Sequence, residues 1–398
     1  MLNKKLTLLF TLYLIFALSF ITALDFGGSL ESYTKLGTPA SSADDEFESF
    51  SLKQEEILTG WLRHNFDSTM FIASEFDVRF RTTNGNLKNT DDLENIVVPD
   101  LKLLRFFKKF GSPSQSIIIN VGRLNFTDLT GTVFSQPADG INLSFANRRF
   151  YSKVYAGYTG LLNAQNVTIL NDTDSDYSID TEKPWYFAAP YTNVGAQLEF
   201  PYLFANQTLS AELLASFGTP GIESGTEDYN RLWVTLGLNG FLLKNLCYVF
   251  TTTIGTEFED GVSNLTKVSF TYLPGFKNMA ASIFGNYASG EQFGLKAFKG
   301  FTSMTAVAAQ FEPEYSELVK AGASVSIKPI QSIFTSLNGA AVFSCPEEDF
   351  EYSGFEANLT GVFQIFSDLN INASVTQFFG KEDDMSKATF ILSATLAF

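Results

Sequence analysis

One histidine, two cysteines, 27 basic side chains and no long apolar run past the first two dozen residues set the limits of this chain. His64 stands alone, so Ser–His or Cys–His hydrolase chemistry would rest on it entirely. Asp67 and Ser68 lie nearby without forming a motif, and the chain is not expected to be an enzyme. Cys247 and Cys345 give no disulfide framework. Cys247 sits in an apolar strand pattern and reads as an unpaired packing residue, although one bridge is open to the pair in an oxidising compartment. Without Lys4 and Lys5 the balance is 25 basic to 43 acidic side chains, a formal charge of −18. That charge argues against nucleic acid as a partner. After residue 23 no stretch approaches the 18 or so apolar residues that a membrane helix needs. No amphipathic helix is available to cover a sheet.

Aromatic and apolar residues are abundant instead: 41 Phe, 15 Tyr and 45% hydrophobic residues against 18% charged. This favours β-structure and suits the interfacial girdles of a membrane barrel, or a large secreted sandwich or solenoid. The first 23 residues read as a cleaved secretory signal. Lys4 and Lys5 precede an apolar run from Leu6 to Phe20, and Ala23 stands before the cut. The run is short for an anchor helix. Residues 24–398 form one domain.

That domain is a series of two-faced segments. In the last, Phe390, Leu392, Ala394, Leu396 and Phe398 share one face, opposite Thr389, Ser393 and Thr395. Met70, Ile72, Phe76, Val78 and Phe80 oppose Glu75, Asp77, Arg79 and Arg81. Phe355, Leu359 and Phe363 oppose Glu356, Asn358 and Thr360; Leu369, Ile371 and Val375 oppose Asn370, Asn372 and Ser374. Leu265 to Tyr272 and Lys277 to Tyr287 show weaker versions. Period two means strands. LKLLRFFKKF, residues 101–110, fits strand or basic helix and is read as strand. The count is roughly 16–18 strands, the size that encloses an aqueous lumen. The expected fold class is all-β, a transmembrane antiparallel up-and-down barrel. Leu24 to Tyr33 already reads as strand, leaving no room for an N-terminal plug and little for a hatch. Acidic turns recur at Asp44-Asp45-Glu46, Glu347-Glu348-Asp349 and Glu382-Asp383-Asp384, and the longest connection, residues 160–190, carries Asp172, Asp174, Asp176, Asp180 and Glu182.

The closing segment resembles the last strand of bacterial outer-membrane β-barrels, whose terminal Phe belongs to the signal read by the insertion machinery. The resemblance assigns that role to Phe390, Leu392, Leu396 and Phe398. It implies the outer membrane as location, with the lipid bilayer and insertion machinery as partners. VGRLNFTDLTGTVFSQPADG, residues 121–140, is similar to the Gly-Arg and Asp-Gly strand ends of porins in the substrate-specific and alginate-export groups. By that resemblance Arg123 faces the channel, and the loop from Asn125 to Ala138 is either an inward constriction or a plain turn.

Seven of eight arginines lie between Arg63 and Arg149. Guanidinium groups hold carboxylates and phosphates by paired hydrogen bonds. Glu75, Asp77, Arg79, Arg81, Arg123 and Lys153 are the candidate pore-lining residues. The arginines either form a basic track for small anions, continued by Lys153, or neutralise Glu75, Asp77 and other lumen carboxylates. Asp172-Thr173-Asp174-Ser175-Asp176 starts like a calcium loop but departs at Tyr177 and Lys183. Eight Asn-x-Ser/Thr triplets fit the polar lumen composition. No metal and no cofactor is expected. The expected function is a porin passing small hydrophilic solutes, anions among them. The alternatives are a surface adhesin or structural barrel acting through acidic loops, a transporter of hydrophobic compounds, and a soluble secreted β-protein. Monomer and homotrimer are both open.

Overall fold

A period-two pattern buries only one face of each strand, so the apolar and polar faces must meet different surroundings. A closed barrel supplies both, and it satisfies every strand edge. The computed structural model describes residues 24–38, 50–85, 93–112, 114–167, 169, 183–204, 206–218, 230–257, 261–302, 306, 314–346, 349–382 and 386–398. They form β1 (Leu24–Gly37), β2 (Ser51–Asp67), β3 (Met70–Asn84), β4 (Leu93–Ser112), β5 (Gln115–Thr127) and β6 (Ser135–Asn147). Next come β7 (Tyr151–Tyr158), β8 (Tyr191–Phe204), β9 (Gln207–Gly218), β10 (Arg231–Leu243), β11 (Leu246–Glu257) and β12 (Gly261–Tyr272). The set ends with β13 (Ala280–Ala288), β14 (Leu318–Ile330), β15 (Ile333–Ser344), β16 (Glu351–Gln364), β17 (Leu369–Gly380) and β18 (Lys387–Ala397). Each strand pairs antiparallel with its sequence neighbours, and β1 pairs with β18, closing an 18-stranded sheet. At the seam Gly28 and Phe398 exchange two backbone hydrogen bonds of 2.9 Å.

The closed all-β barrel is the architecture the alternation predicts, at the upper end of the expected strand number. Residues 101–110 are strand, inside β4. Residues 277–279 belong to a turn rather than to the strand that follows, because Lys277 and Asn278 take positive φ. Connections after even-numbered strands are short turns at one end. Those after odd-numbered strands, at the other end, include the long ones. The acidic runs at residues 44–46, 172–182, 347–348 and 383–384 fall outside the described residues.

Outward positions are apolar and exposed: Ile72, Phe76 and Phe80 on β3, Phe355, Leu359 and Phe363 on β16, Phe390, Leu392 and Leu396 on β18. No helix of the described residues is long and apolar enough to cross a membrane. The inner face carries the polar set, with one departure. Leu124, Phe126, Tyr155, Leu214, Trp233, Leu265, Leu318 and Phe378 point inward and are buried, and side chains from the long connections pack against them.

Candidate functional site: the lumen and its inward loops

Three connections that follow odd-numbered strands turn into the barrel, and Asp128 holds the first. Its Oδ1 accepts from Val133 N at 3.1 Å and Phe134 N at 2.9 Å; its Oδ2 accepts from Thr130 N at 2.8 Å and Thr130 Oγ1 at 2.6 Å. Gly131, at φ +64°, makes the turn that lets the loop close on this carboxylate. The loop reaches across the lumen. Leu129 N donates to Glu212 Oε2 on β9, which also accepts Tyr155 Oη through Oε1 at 2.9 Å, and Lys267 Nζ on β12 donates to Thr132 Oγ1 at 2.7 Å. Val133 carbonyl accepts from Phe301 N and Thr302 N at 2.8 and 3.0 Å.

The connection between β13 and β14 supplies that second inward segment. Arg231 Nη1 donates to Gly300 carbonyl at 2.9 Å and Trp233 Nε1 to Lys299 carbonyl at 3.0 Å. Lys320 Nζ donates to Ala306 carbonyl at 2.6 Å and pairs with Glu356 at 2.9 Å. Phe301 stands edge-on to Phe134 and Tyr191, each at 5.3 Å between centroids. The apolar plug so formed packs inside the barrel toward the long-connection end, against side chains of strands from β5 to β17.

The third segment, between β7 and β8, holds a 3-10 turn, Ala164–Asn166, capped by Asn163. It packs onto the charged wall. Arg81 Nη1 donates to Gln165 Oε1 at 2.9 Å, Asn163 Nδ2 to Pro99 carbonyl at 3.3 Å, and Arg123 Nη2 to Leu161 carbonyl at 2.9 Å.

These contacts decide what the sequence-selected residues do. Glu75, Asp77, Arg79 and Arg81 all face inward on β3. Arg79 Nε lies 3.0 Å from Asp77 Oδ2, Arg81 Nε 2.6 Å from Glu55 Oε1, and Lys102 Nζ 3.2 Å from Glu75 Oε1. The neutralising pattern therefore holds for both arginines. Asp77 is only 1% exposed and Arg123 7%, so neither lines open space. Arg123 instead binds Asp139 bidentately at 3.0 and 2.8 Å. Its setting depends on Gly122 and Gly140, which pair in register. A Cβ on either would lie 2.0 Å or less from a neighbouring carbonyl oxygen, of Leu104 or Ala156. Gly122 also takes φ +122°. Beyond it strict alternation fails, and Arg123 and Leu124 are both buried. Lys153 faces inward but on β7, away from Arg79 and Arg81. It donates to Thr127 carbonyl at 3.1 Å and lies 4.8 Å from the Tyr155 ring, so it supports the inward loop rather than continuing a ladder.

Cations without a carboxylate lie nearer the short-turn end. Arg63 and Arg105 flank Ala73 in register on the inner face. Phe71 and Phe107 stack beneath them at 4.6 Å, with the Arg63 guanidinium 4.0 Å from the Phe71 centroid and that of Arg105 5.2 Å from Phe107. Their hydrogen bonds go to amide oxygens, Asn65 at 2.9 Å and Asn120 at 2.7 Å. Neither meets a carboxylate among the described residues. Further round the barrel from this wall, beyond β1 and β18, β15 to β17 present Ser336, Asn338, Asn358, Thr360, Ser374 and Thr376, and Asn358 Nδ2 bonds Ser374 Oγ at 3.0 Å and Thr376 Oγ1 at 2.7 Å. The lumen thus has one charged wall and one of hydroxyls and amides.

Sequence reasoning missed Asp128 as an anchor, though Asp-x-Thr-Gly is a recognisable Asx-turn signature. It also passed over Arg63 and Arg105 as a pair, because the strand separation that brings them together is set by register. Cys247 and Cys345 are both free thiols. His64 lies against the edge of Phe66 at 4.7 Å. No group of metal-ligating side chains occurs among the described residues.

No protein-family model matches the chain, and no curated protein sequence matches it. Solved structures do. Pseudomonas aeruginosa OccK7 (OpdD) is 11% identical, with a TM-score of 0.61 over 94% of this chain and 98% of that one. Acinetobacter baumannii OccAB4 is 10% identical, with a TM-score of 0.62 and the same coverage. The outer membrane protein opdK from Pseudomonas aeruginosa is 10% identical, with a TM-score of 0.56 over 94% and 99%. The chain has the fold of these outer-membrane barrels over nearly its whole length.

Proposed function

We propose that the protein is a bacterial outer-membrane porin, a passive channel for small hydrophilic solutes in which small anions are favoured. The polar lumen inside a lipid-facing barrel supports the channel. The anionic preference rests on one observation: Arg63 and Arg105 sit on an aromatic shelf without a direct ion pair among the described residues, Asp25 reaching Arg63 only through Asn65, whereas Arg79 and Arg81 are each in a salt bridge. A ring or shelf of fixed positive charge concentrates anions and repels cations. Export through a leader cut after Ala23 and recognition of Phe390, Leu392, Leu396 and Phe398 by the insertion machinery belong to the same reading. No turnover is part of it.

The test is the reversal potential of the folded protein in planar bilayers under a salt gradient. Wild type is expected to prefer anions, and Arg63→Gln/Arg105→Gln to lose most of that preference; cation preference in wild type would overturn the assignment. A second reading, an adhesin or structural barrel with a blocked lumen, is favoured by the apolar plug around Phe134 and Phe301. Correct insertion without any conductance would select it.

A further inference from the structure

The short-turn rim is unevenly charged. From β6 to β15 its turns carry Arg148, Arg149, Lys244 and Lys277, with Lys328 beside them, and no Asp or Glu. Lys328 is tied to Lys277 by a backbone hydrogen bond of 3.0 Å. Asp25, Asp67 and Asp368 lie on the other sector, and Glu199 of β8, in register with Tyr151, is the acid nearest the basic turns. In a chain of net charge −16 this excess is local and opposite in sign to the whole.

The same sector is rich in exposed apolar surface. Tyr202 is 75% exposed, Leu243 68% and Phe276 59%. Lys277 Nζ lies 5.4 Å from the Phe276 ring. Cations held beside or just beyond a belt of aromatic and apolar side chains match the cross-section of a leaflet, with acyl chains against the rings and phosphates at the ammonium and guanidinium groups.

We infer that this sector is a docking collar for anionic phospholipids of the leaflet that meets the short turns. Charge complementarity selects the occupant. Zwitterionic lipid gains little from a cluster of cations, whereas each basic group near an anionic surface brings about a fivefold gain, the equivalent of about 1 kcal/mol. The gain is screened by salt.

The folded full chain in phosphatidylcholine bilayers gives the test, with spin-labelled phosphatidylglycerol and spin-labelled phosphatidylcholine as probes. Electron spin resonance reads the motionally restricted fraction of each. The expected relative association constant favours phosphatidylglycerol by about twofold or more at low salt, averaged over the whole lipid shell, and falls toward one at high salt. Arg148→Gln/Arg149→Gln/Lys244→Gln/Lys277→Gln changes only turn residues outside the strand ladders and should remove most of the preference; heat-modifiable migration on a gel checks its folding. The salt titration needs no variant and stands on its own. Equal constants in wild type, or a preference that the fourfold variant retains, would overturn the collar. So would retention on isolated peptidoglycan with no preference among lipids, which assigns the rim to the cell wall.

Discussion

Removing the Asp128 carboxylate is expected to release the first inward loop without unfolding the barrel. In Asp128→Ala the amides of Val133 and Phe134 lose their acceptor, and both residues are almost wholly buried. A buried amide left unpaired costs about 1–3 kcal/mol, so the two together put about 2–6 kcal/mol against the closed loop. The two Thr130 contacts go with them. The loop's remaining holds include the Asp128 N to Phe134 carbonyl bond and the Glu212, Lys267, Phe301 and Thr302 contacts, each of which needs the backbone in its closed course. The strand ladders are untouched, so heat-modifiable migration should be unchanged. Single-channel conductance in planar bilayers should rise several-fold, because the loop crosses the lumen from β5 to β12. Asp128→Asn keeps one acceptor oxygen and should fall between the two. If Asp128→Ala folds and conducts like wild type, the carboxylate does not hold the constriction and the reasoning fails.

Lys320→Met should lower the midpoint of denaturant unfolding by the equivalent of about 3–5 kcal/mol, because it strands the buried Glu356 carboxylate. Lys320→Met/Glu356→Leu should recover most of that loss, and a double variant no better than the single one would contradict the account. Burial pushes the Cys345 thiol above its ordinary range, with Gln292 opposing the shift and Glu317 adding to it. A raised pKa means less thiolate at any given pH, so at pH 8 a charged maleimide should label the partly exposed Cys247 far faster than Cys345 in the folded protein. Mass spectrometry of the labelled chain decides, and equal rates would refute the burial. Phe398→Ala removes an aromatic group from the seam strand, and its yield of folded barrel in cells should drop while detergent refolding of the purified chain continues; equal loss in both would make its role purely structural.

The sequence carried the wall of the barrel and little of its contents. Phe355, Leu359 and Phe363 against Glu356, Asn358 and Thr360 announce a strand and its two faces because both facts follow from period two. Pairing needed only sequence order, since each strand meets its neighbours and β1 meets β18. The lumen was legible only where partners share a strand, as Asp77 and Arg79 do at i and i+2. Arg81 with Gln165, Leu129 with Glu212 and Lys267 with Thr132 join residues far apart in sequence, and no local pattern records such contacts. Phe134 and Phe301 read as ordinary strand or turn aromatics because nothing local distinguishes a ring that faces lipid from one that fills a lumen. Gly122 and Gly140 were visible as a motif, but their reason is a cross-strand approach with no room for a Cβ.

The pairing of β1 with β18 also governs the order in which this molecule can be made. Ser29 lies beside Ala397, so the contact that completes the cylinder is the one with the greatest separation in sequence and the largest loop-closure entropy. Until it forms, the sheet has two bare margins, each a row of amides and carbonyls that hydrocarbon cannot satisfy. An open intermediate is therefore confined to water or to a protein surface that lends it a temporary neighbour. Full entry into the bilayer and completion of the cylinder become a single event. A lesion at the Gly28–Phe398 junction should accordingly act on the rate of assembly far more than on the finished barrel.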